Sequence, residues 1–240
     1  MKHFLLICSL FFIFSTTTYA RNIITTKGNM PSGTPHVVLI GASYLKGWTL
    51  DKIDCLPVVN KGVSGETSTQ VLERFEVDAL TTQPKAVIIW GHINDFSNAP
   101  KEKEQQTRKT AIENLKNMID GAKQQGVIPI VATEITLGVP PGIKSQIMHF
   151  LGKIRGKRSH QQYISSNVLA VNEWVRSYAK DQGISVIEIE KLMTNEEGNR
   201  KAGYFKEDLS HITEQAYRDL QAYALPLLHD ELINKHGLCN

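Results

Sequence analysis

The chain has 240 residues, a formal net charge of +3, 41% hydrophobic residues and 21% charged residues. That length suffices for one α/β domain with a sizeable core, and the composition is ordinary for a globular protein. So small a charge gives no reason to expect a nucleic-acid partner. Three cysteines without a Cys-x-x-Cys pair, and no phosphate-binding glycine-rich loop, predict neither a metal site nor a cofactor.

The N-terminus has the pattern of a secretory signal peptide. A basic start is followed by an apolar run of 11 residues, 4–14, and then by a polar stretch that ends in Ala20. We therefore expect residues 1–20 to be a signal peptide, cleaved after Ala20, and the mature protein to be periplasmic or secreted with no integral membrane span. The run is short for a bilayer span, and an uncleaved anchor is the alternative. The bulky Ile7 before Cys8 argues against a lipoprotein anchor.

The mature chain alternates between short apolar segments and segments with helical spacing of apolar residues. The predicted strands are 36–40, 57–60, 86–90, 127–133 and 184–188. The predicted helices are 66–80, 104–125, 168–182 and 213–234. Strands that alternate with helices build a parallel sheet covered on both faces. We therefore predict a single α/β domain over 21–240, a three-layer sandwich with a five-stranded parallel sheet.

One segment, at about 137–171, is longer than a usual connection and is predicted to be an insertion. It opens with glycines and prolines, and it carries five basic residues with no acidic residue before Glu173. A solvated surface excursion is one interpretation. A basic lip over a site for acidic substrates is the other.

The polar residues that matter most follow the predicted strands. Ser43 follows the first strand, Gly65 the second and Asn94 the third, while Asp208 and His211 lie between the fifth strand and the last helix. In an open α/β sheet the carboxyl ends of parallel strands meet at one edge, where ligands bind. We therefore expect these five residues to converge.

Together these side chains suit nucleophilic catalysis. A serine hydroxyl such as that of Ser43 is a weak nucleophile and needs a base, which the imidazole of His211 can supply. A carboxylate such as that of Asp208 holds the imidazole in one tautomer and stabilises the imidazolium. The backbone N–H groups of Ser43 and Gly65 and the amide of Asn94 are suitable oxyanion donors. Taken alone, Ser43 is more simply interpreted as a helix cap.

Four short motifs in this chain resemble the conserved blocks of the SGNH, or GDSL-like, hydrolases. They are residues 41–43, 63–68, 91–95 and 208–211, in the family's order and each after a predicted strand. The stretch 57–74 resembles the bacterial periplasmic thioesterase/lysophospholipase branch. The resemblance implies the family's flavodoxin-like SGNH hydrolase fold. It also implies Ser43 as nucleophile, His211 as general base and then acid, Asp208 as its partner, and an oxyanion hole from Ser43, Gly65 and Asn94.

Two departures from the family pattern stand out. Ala42 occupies the position where the family usually has Asp, which puts local support of the site in doubt more than its chemistry. Leu209 and Ser210 stand in the last block where Gly-Ile is commoner, so the backbone of that loop is expected to differ.

Other polar and aromatic residues near the strand ends have two interpretations each. His92 either contacts substrate or faces outward from its loop, and Glu134 is a rim candidate for substrate contact. Asp95 is expected to tie down its own loop by hydrogen bonds. Tyr44 and Trp48 are expected to pack in the core rather than line a pocket.

Two cysteines remain after the predicted cleavage, Cys55 and Cys239. In an oxidising compartment they can pair, and a free thiol near the C-terminus is the alternative.

The predicted function is that of a secreted or periplasmic serine ester hydrolase without a cofactor. The expected substrate is a small-molecule or glycan acyl ester, with O-acetyl groups on a carbohydrate as the specific hypothesis. Within the class, a thioesterase or lysophospholipase is the nearest alternative, and acyl transfer to a sugar is a further one. Outside it, a non-hydrolytic carbohydrate-binding protein on the same fold remains open.

Overall fold

The computed structural model describes residues 34–139, 158–196 and 198–239. The predicted signal peptide, 1–20, and most of the basic residues of the predicted insertion lie outside these ranges. Within them, no helix combines the length and the apolar character needed to cross a membrane.

Six strands form one sheet, in the order β2-β3-β1-β4-β5-β6. The strands are β1 (Val37–Gly41), β2 (Lys52–Ile53), β3 (Leu56–Gly62), β4 (Ala86–Trp90), β5 (Ile128–Ala132) and β6 (Ser185–Ile187). Five of them run parallel, as predicted, and the two-residue β2 adds an antiparallel edge beside β3. The central strands β1 and β4 are buried along their whole length, which explains their continuous apolar sequences.

Seven α-helices surround the sheet in the described ranges. They are α1 (Ser43–Gly47), α2 (Ser68–Phe75), α3 (Ile93–Asn98), α4 (Glu104–Gln124), α5 (His160–Gln182), α6 (Ile189–Met193) and α7 (Glu214–His229). A π-helical turn extends α2 over Glu76–Leu80, and another extends α7 over Asp230–Lys235. The four predicted helices correspond to α2, α4, α5 and α7, whereas α1, α3 and α6, which have only five or six residues each, were missed.

Helix α5 begins eight residues before its predicted start. Ser159 and Gln162 form a reciprocal capping box at its N-terminus, and the helix ends at Gln182, as predicted, with Gly183 as its C-cap. Residues 160–171, assigned from the sequence to the insertion, are therefore part of a regular helix. Arg158, one of the basic residues of that segment, forms an ion pair with Glu104 at 2.6 Å.

A disulfide joins Cys55 to Cys239, which answers the question that the sequence left open. The bond links the β2–β3 turn to the C-terminal end, across a sequence separation of 184 residues. Since it closes so long a loop, it contributes roughly 2–5 kcal/mol of stability by restricting the unfolded chain.

Candidate active site

At one edge of the candidate site, the backbones of β1 and β4 pack directly against each other at their carboxyl ends. A Cβ added to Gly41 would lie 1.8 Å from the carbonyl oxygen of Trp90, and one added to Gly91 would lie 2.9 Å from the nitrogen of Ala42. The N–H of Ala42 donates to the Trp90 carbonyl at 3.3 Å. The glycines therefore permit an approach that no side chain would allow, and it places Ser43 beside the turn that follows β4.

Ser43 is the first residue of α1 and is half-buried. The capping position belongs to Ala42, which has no side-chain capping bond. The hydroxyl of Ser43 makes no hydrogen bond to any residue in the described ranges, so the helix-cap interpretation of this serine does not hold.

The loop after β3 is anchored to the end of β1 by Arg74. The guanidinium donates to the carbonyl of Gly41 at 3.2 Å and forms an ion pair with Glu66 at 2.6 Å. The N–H of Val63 donates to the same carbonyl at 3.0 Å. The position with Ala42 in place of the usual Asp is thus supported by main-chain bonds and by Arg74.

Asn94, in α3, lies beside this loop. Its Nδ2 donates to the carbonyl of Glu66 at 2.9 Å, which leaves the second amide hydrogen unused by that bond. The neighbouring Gly65 has φ +82, and the space where its Cβ would be is open. The structure therefore brings Gly65 and Asn94 together, with Gly65 in a left-handed conformation that leaves room for a ligand.

Asp95 holds the turn after β4 in place by side-chain hydrogen bonds, as predicted. It is 6% exposed, and its two oxygens accept the N–H of Ser68 at 2.8 Å and the hydroxyl of Ser68 at 2.6 Å. Burial raises the pKa of the Asp95 carboxyl in spite of these bonds. The side chain links α3 to the start of α2.

Asp208 and His211 form a hydrogen-bonded pair in the loop before α7. Oδ2 of Asp208 lies 2.7 Å from Nδ1 of His211, and Oδ1 accepts the N–H groups of Ser210 at 2.9 Å and His211 at 2.8 Å. An ionised carboxylate only accepts, so Nδ1 carries the proton and Nε2 faces away from Asp208. About half of each side chain is exposed.

The backbone and charge of this loop follow from the same contacts. Leu209 has φ +59, a left-handed conformation in which glycine would be unstrained. Partial burial by itself would raise the pKa of Asp208, but the bonds from the His211 ring and from two backbone N–H groups outweigh it and lower the pKa. The carboxylate is therefore charged at neutral pH.

The loop lies against α1. The ring of Tyr44, the residue after Ser43, packs edge-on to the His211 ring with centroids 6.3 Å apart. No hydrogen bond joins the Ser43 hydroxyl to the His211 imidazole in this structure. Tyr44 and Trp48 are 2% and 1% exposed, as the core interpretation predicted.

Two sequence-based interpretations at this edge are wrong. Glu134 is fully buried rather than at the rim, and its oxygens accept N–H groups from the Trp90 indole at 3.2 Å, His92 at 3.1 Å and Ile135 at 3.0 Å. His92 neither faces outward nor reaches the surface; it is 1% exposed, and burial lowers its pKa to about 3. The sequences of these two segments carry no signal of that burial, which depends on the elements that cover the strand ends.

The mostly parallel sheet and its helices have the fold of the SGNH, or GDSL-like, hydrolases. The chain belongs to the GDSL-like Lipase/Acylhydrolase family, whose family model matches residues 42–218. The resemblance stated from the four motifs is thereby confirmed.

Individual relatives are distant. The chain is 26% identical over 154 residues to an uncharacterized lipoprotein, YqeF, of Bacillus subtilis (strain 168); the match covers 57% of this chain and 58% of that relative's length. A GDSL-like lipase from Bacteroides thetaiotaomicron superposes with a TM-score of 0.62 at 18% identity, over 82% of this chain and 89% of that one. The acetyl xylan esterase AlAXEase gives 0.59 at 17% identity, over 80% and 98%. At these identities the two structures establish the fold alone.

Proposed function

We propose that this protein is a serine ester hydrolase that works through an acyl-enzyme, with Ser43 as nucleophile, His211 as general base and then acid, and Asp208 as the partner of the imidazole. The observation that carries the proposal is the Asp208–His211 pair, in which the carboxylate holds the proton on Nδ1. That arrangement leaves Nε2 as the basic atom, on an imidazole whose neighbour Tyr44 adjoins Ser43.

The chemistry proceeds in two balanced steps. The hydroxyl oxygen of Ser43 attacks the ester carbonyl while its proton moves to Nε2 of His211, and the imidazolium then protonates the departing alcohol. A water molecule next gives a proton to the same nitrogen and attacks the acyl-enzyme. The imidazolium then returns this proton to the departing oxygen of Ser43, which releases the acid and regenerates the enzyme. Asp208 stays ionised throughout, and its low pKa suits that role.

The negative charge of each tetrahedral intermediate needs donors that are already in place. The backbone N–H groups of Ser43 and Gly65 and the second amide hydrogen of Asn94 are the proposed set. The bond from Asn94 to the carbonyl of Glu66 fixes the amide next to Gly65, so that it needs no reorganisation during the reaction.

The proposed substrate is a small acyl ester outside the cytoplasm, with an O-acetyl group on a carbohydrate as the specific candidate. Three large hydrophobic side chains are well exposed in the described ranges, Val63, Val77 and Leu227, and this offers little surface for a long acyl chain. The disulfide and the pattern of residues 1–20 both favour an exported protein. One structural neighbour is an acetyl xylan esterase, although at 17% identity it supports the fold only.

A second candidate is a non-hydrolytic carbohydrate-binding protein on the same fold. The observation that favours it is that Ser43 and His211 are not hydrogen-bonded in this structure. In catalytic sites such bonds are often long before substrate is bound, so hydrolysis remains our proposal.

The decisive experiment compares wild type, Ser43→Ala and the control Ser166→Ala on p-nitrophenyl esters of increasing acyl length, on an acyl thioester and on acetylated xylan. Ser166 is an exposed serine of α5 whose hydroxyl bonds only within the helix and to Arg158. We expect Ser43→Ala to lower the rate by about 10³-fold or more and Ser166→Ala to leave it unchanged. A fluorophosphonate should label wild type once per chain, at Ser43.

The substrate panel separates the alternatives. Fastest turnover of acetyl esters supports the proposed substrate, whereas a preference for long acyl chains or the thioester supports a lysophospholipase or thioesterase. A wild type that is inert to every ester and to the fluorophosphonate, yet binds xylan, would establish the carbohydrate-binding alternative.

A further inference from the structure

A buried arginine lies behind the loop of Asp208 and His211. Arg200 is 3% exposed, and its Nη1 donates to the carbonyl oxygen of Ser210. Its Nη2 donates to the hydroxyl of Tyr44 at 3.2 Å, and its guanidinium carbon lies 5.5 Å from the centre of the Tyr44 ring. One cation thus contacts both the loop and the helix that begins at Ser43.

Tyr44 makes the same connection from the other side. Its hydroxyl donates to the carbonyl of Ser210 at 3.0 Å, while its ring packs against His211. Burial raises the pKa of the phenol, although the nearby Arg200 lowers it, so the proton needed for donation is retained. The carbonyl of Ser210 is therefore the point where α1 and the loop meet.

That carbonyl belongs to the peptide unit that joins Ser210 to His211. The oxygen of the unit accepts bonds from Arg200 and Tyr44, and its N–H, on His211, donates to Asp208 at 2.8 Å. A peptide held between a cation and a carboxylate is polarised and fixed in orientation. The direction in which the His211 side chain leaves the backbone is set by this plane.

Stability alone does not account for Arg200. Nε of the guanidinium is buried with no hydrogen-bond partner in the described ranges, and a buried donor without a partner costs about 1–3 kcal/mol. The buried carboxylate of Glu134 attracts the cation, but its oxygens bond to backbone and indole N–H groups instead. Apolar side chains of similar volume commonly stabilise such a position at least as well as buried charges do.

We propose that Arg200 and Tyr44 act as positioning residues, which grip the Ser210 carbonyl and thereby hold the imidazole of His211 over Ser43. This inference rests on the proposed function, since the position of His211 matters only if it serves Ser43. The pair compensates for a half-exposed loop in which Leu209 has a strained backbone.

The test removes the hydrogen bonds of Arg200 and Tyr44 to the Ser210 carbonyl separately. Tyr44→Phe keeps the ring and deletes the hydroxyl, Arg200→Met deletes the charge, and Arg200→Lys restores a cation that can make one of the two bonds. Tyr178→Phe is the control, because it also deletes a tyrosine hydroxyl that takes no part in the site: Tyr178 is partly buried, and its hydroxyl donates to Asp120 at 2.6 Å on the α4–α5 surface.

We expect kcat on the best ester to fall about 10-fold in Tyr44→Phe and about 100-fold in Arg200→Met, with KM within about 2-fold of wild type, because a misplaced base slows chemistry rather than binding. Arg200→Lys should recover part of the loss. The rate of fluorophosphonate labelling should fall in parallel, and Tyr178→Phe should match wild type in all of these measurements.

Hydrogen exchange of the His211 backbone N–H, followed by NMR, gives a readout that needs no activity. Its protection should fall in Tyr44→Phe and Arg200→Met and persist in Tyr178→Phe. If Tyr44→Phe and Arg200→Met keep both the wild-type kcat and this protection, the positioning role is wrong. If the protection of the His211 N–H falls as expected but wild type and Ser43→Ala are equally inert, Arg200 and Tyr44 do hold the loop, and the proposed function is wrong.

Discussion

The two halves of the candidate site are built in different ways. The strand-end half, which contains Ser43, Gly65 and Asn94, is built on a main-chain contact between neighbouring strand ends, where a Cβ at Gly41 would lie 1.8 Å from a carbonyl oxygen. The side chains of Arg74 and Asp95 reinforce it. The loop half, which contains Asp208 and His211, is about half exposed and is held by side-chain hydrogen bonds.

The difference predicts how each half responds to substitution. In the strand-end half, backbone packs against backbone. A substitution there therefore displaces neighbouring strands and lowers the stability of the whole sheet. In the loop half a lost side chain releases one contact and leaves the core intact. Damage to the first should appear as unfolding, and damage to the second as slower catalysis in a folded protein.

The largest expected effect is that of Gly41→Ala. The added methyl group overlaps the Trp90 carbonyl, and neither strand can retreat without breaking the ladder between β1 and β4. We expect a loss of more than about 3 kcal/mol, or no soluble folded protein at all, measured by urea denaturation.

The control for that variant is Gly126→Ala, at a glycine with φ +72 and open space around the added Cβ. It isolates the backbone cost of alanine in a left-handed conformation, which is about 1–2 kcal/mol. Equal losses in the two variants would show that the close approach at Gly41 is not decisive.

A second effect comes from the buried His92 in the strand-end half. Burial lowers its pKa from 6.5 to about 3, against a smaller opposing contribution from a backbone hydrogen bond with Val168. Between these values the unfolded chain takes up a proton that the folded protein refuses, so stability falls as the pH decreases. Between pH 6.5 and 4.5 this amounts to about 2–3 kcal/mol.

The measurement is the urea midpoint of wild type and His92→Gln across that range, with His160→Gln as an exposed control. The buried carboxyls of Asp95 and Glu134, whose pKa values are raised, act in the opposite direction and cancel in the comparison. The advantage of wild type over His92→Gln should shrink on acidification. A constant difference would mean that His92 is protonated in the folded protein.

The smallest effect concerns Leu209 in the loop half. Leu209→Gly relieves the left-handed strain at φ +59 but also deletes the side chain, so the proper comparison is Leu209→Ala, which deletes the side chain and keeps the strain. We expect the glycine variant to be more stable than the alanine variant by about 1 kcal/mol in thermal denaturation. An alanine variant as stable as the glycine variant would show that the loop relaxes without cost.

Local sequence patterns were sufficient wherever a contact lies within one element or repeats along it. The five parallel strands were predicted within a few residues. Three of them, β1, β4 and β5, are buried and apolar almost throughout, whereas β3 and β6 are only partly buried and were recognised from short apolar runs. Asp208 and His211 were paired correctly because they are three positions apart in one turn. The same reasoning failed at Glu134 and His92, since their burial depends on which elements cover the strand ends, and nothing in their own segments records it.

By itself, the sequence predicted the five parallel strands, the order of the blocks at their carboxyl edge and the pairing of Asp208 with His211. Only the tertiary structure decided that Cys55 bonds to Cys239, that Glu134 is an internal anchor, and that Arg200 reaches the Ser210 carbonyl. The physical reason is one of range. Hydrophobic periodicity is a property of residues that are close in sequence. A disulfide across 184 residues, or an arginine packed behind a loop, forms only after the core has brought distant segments together.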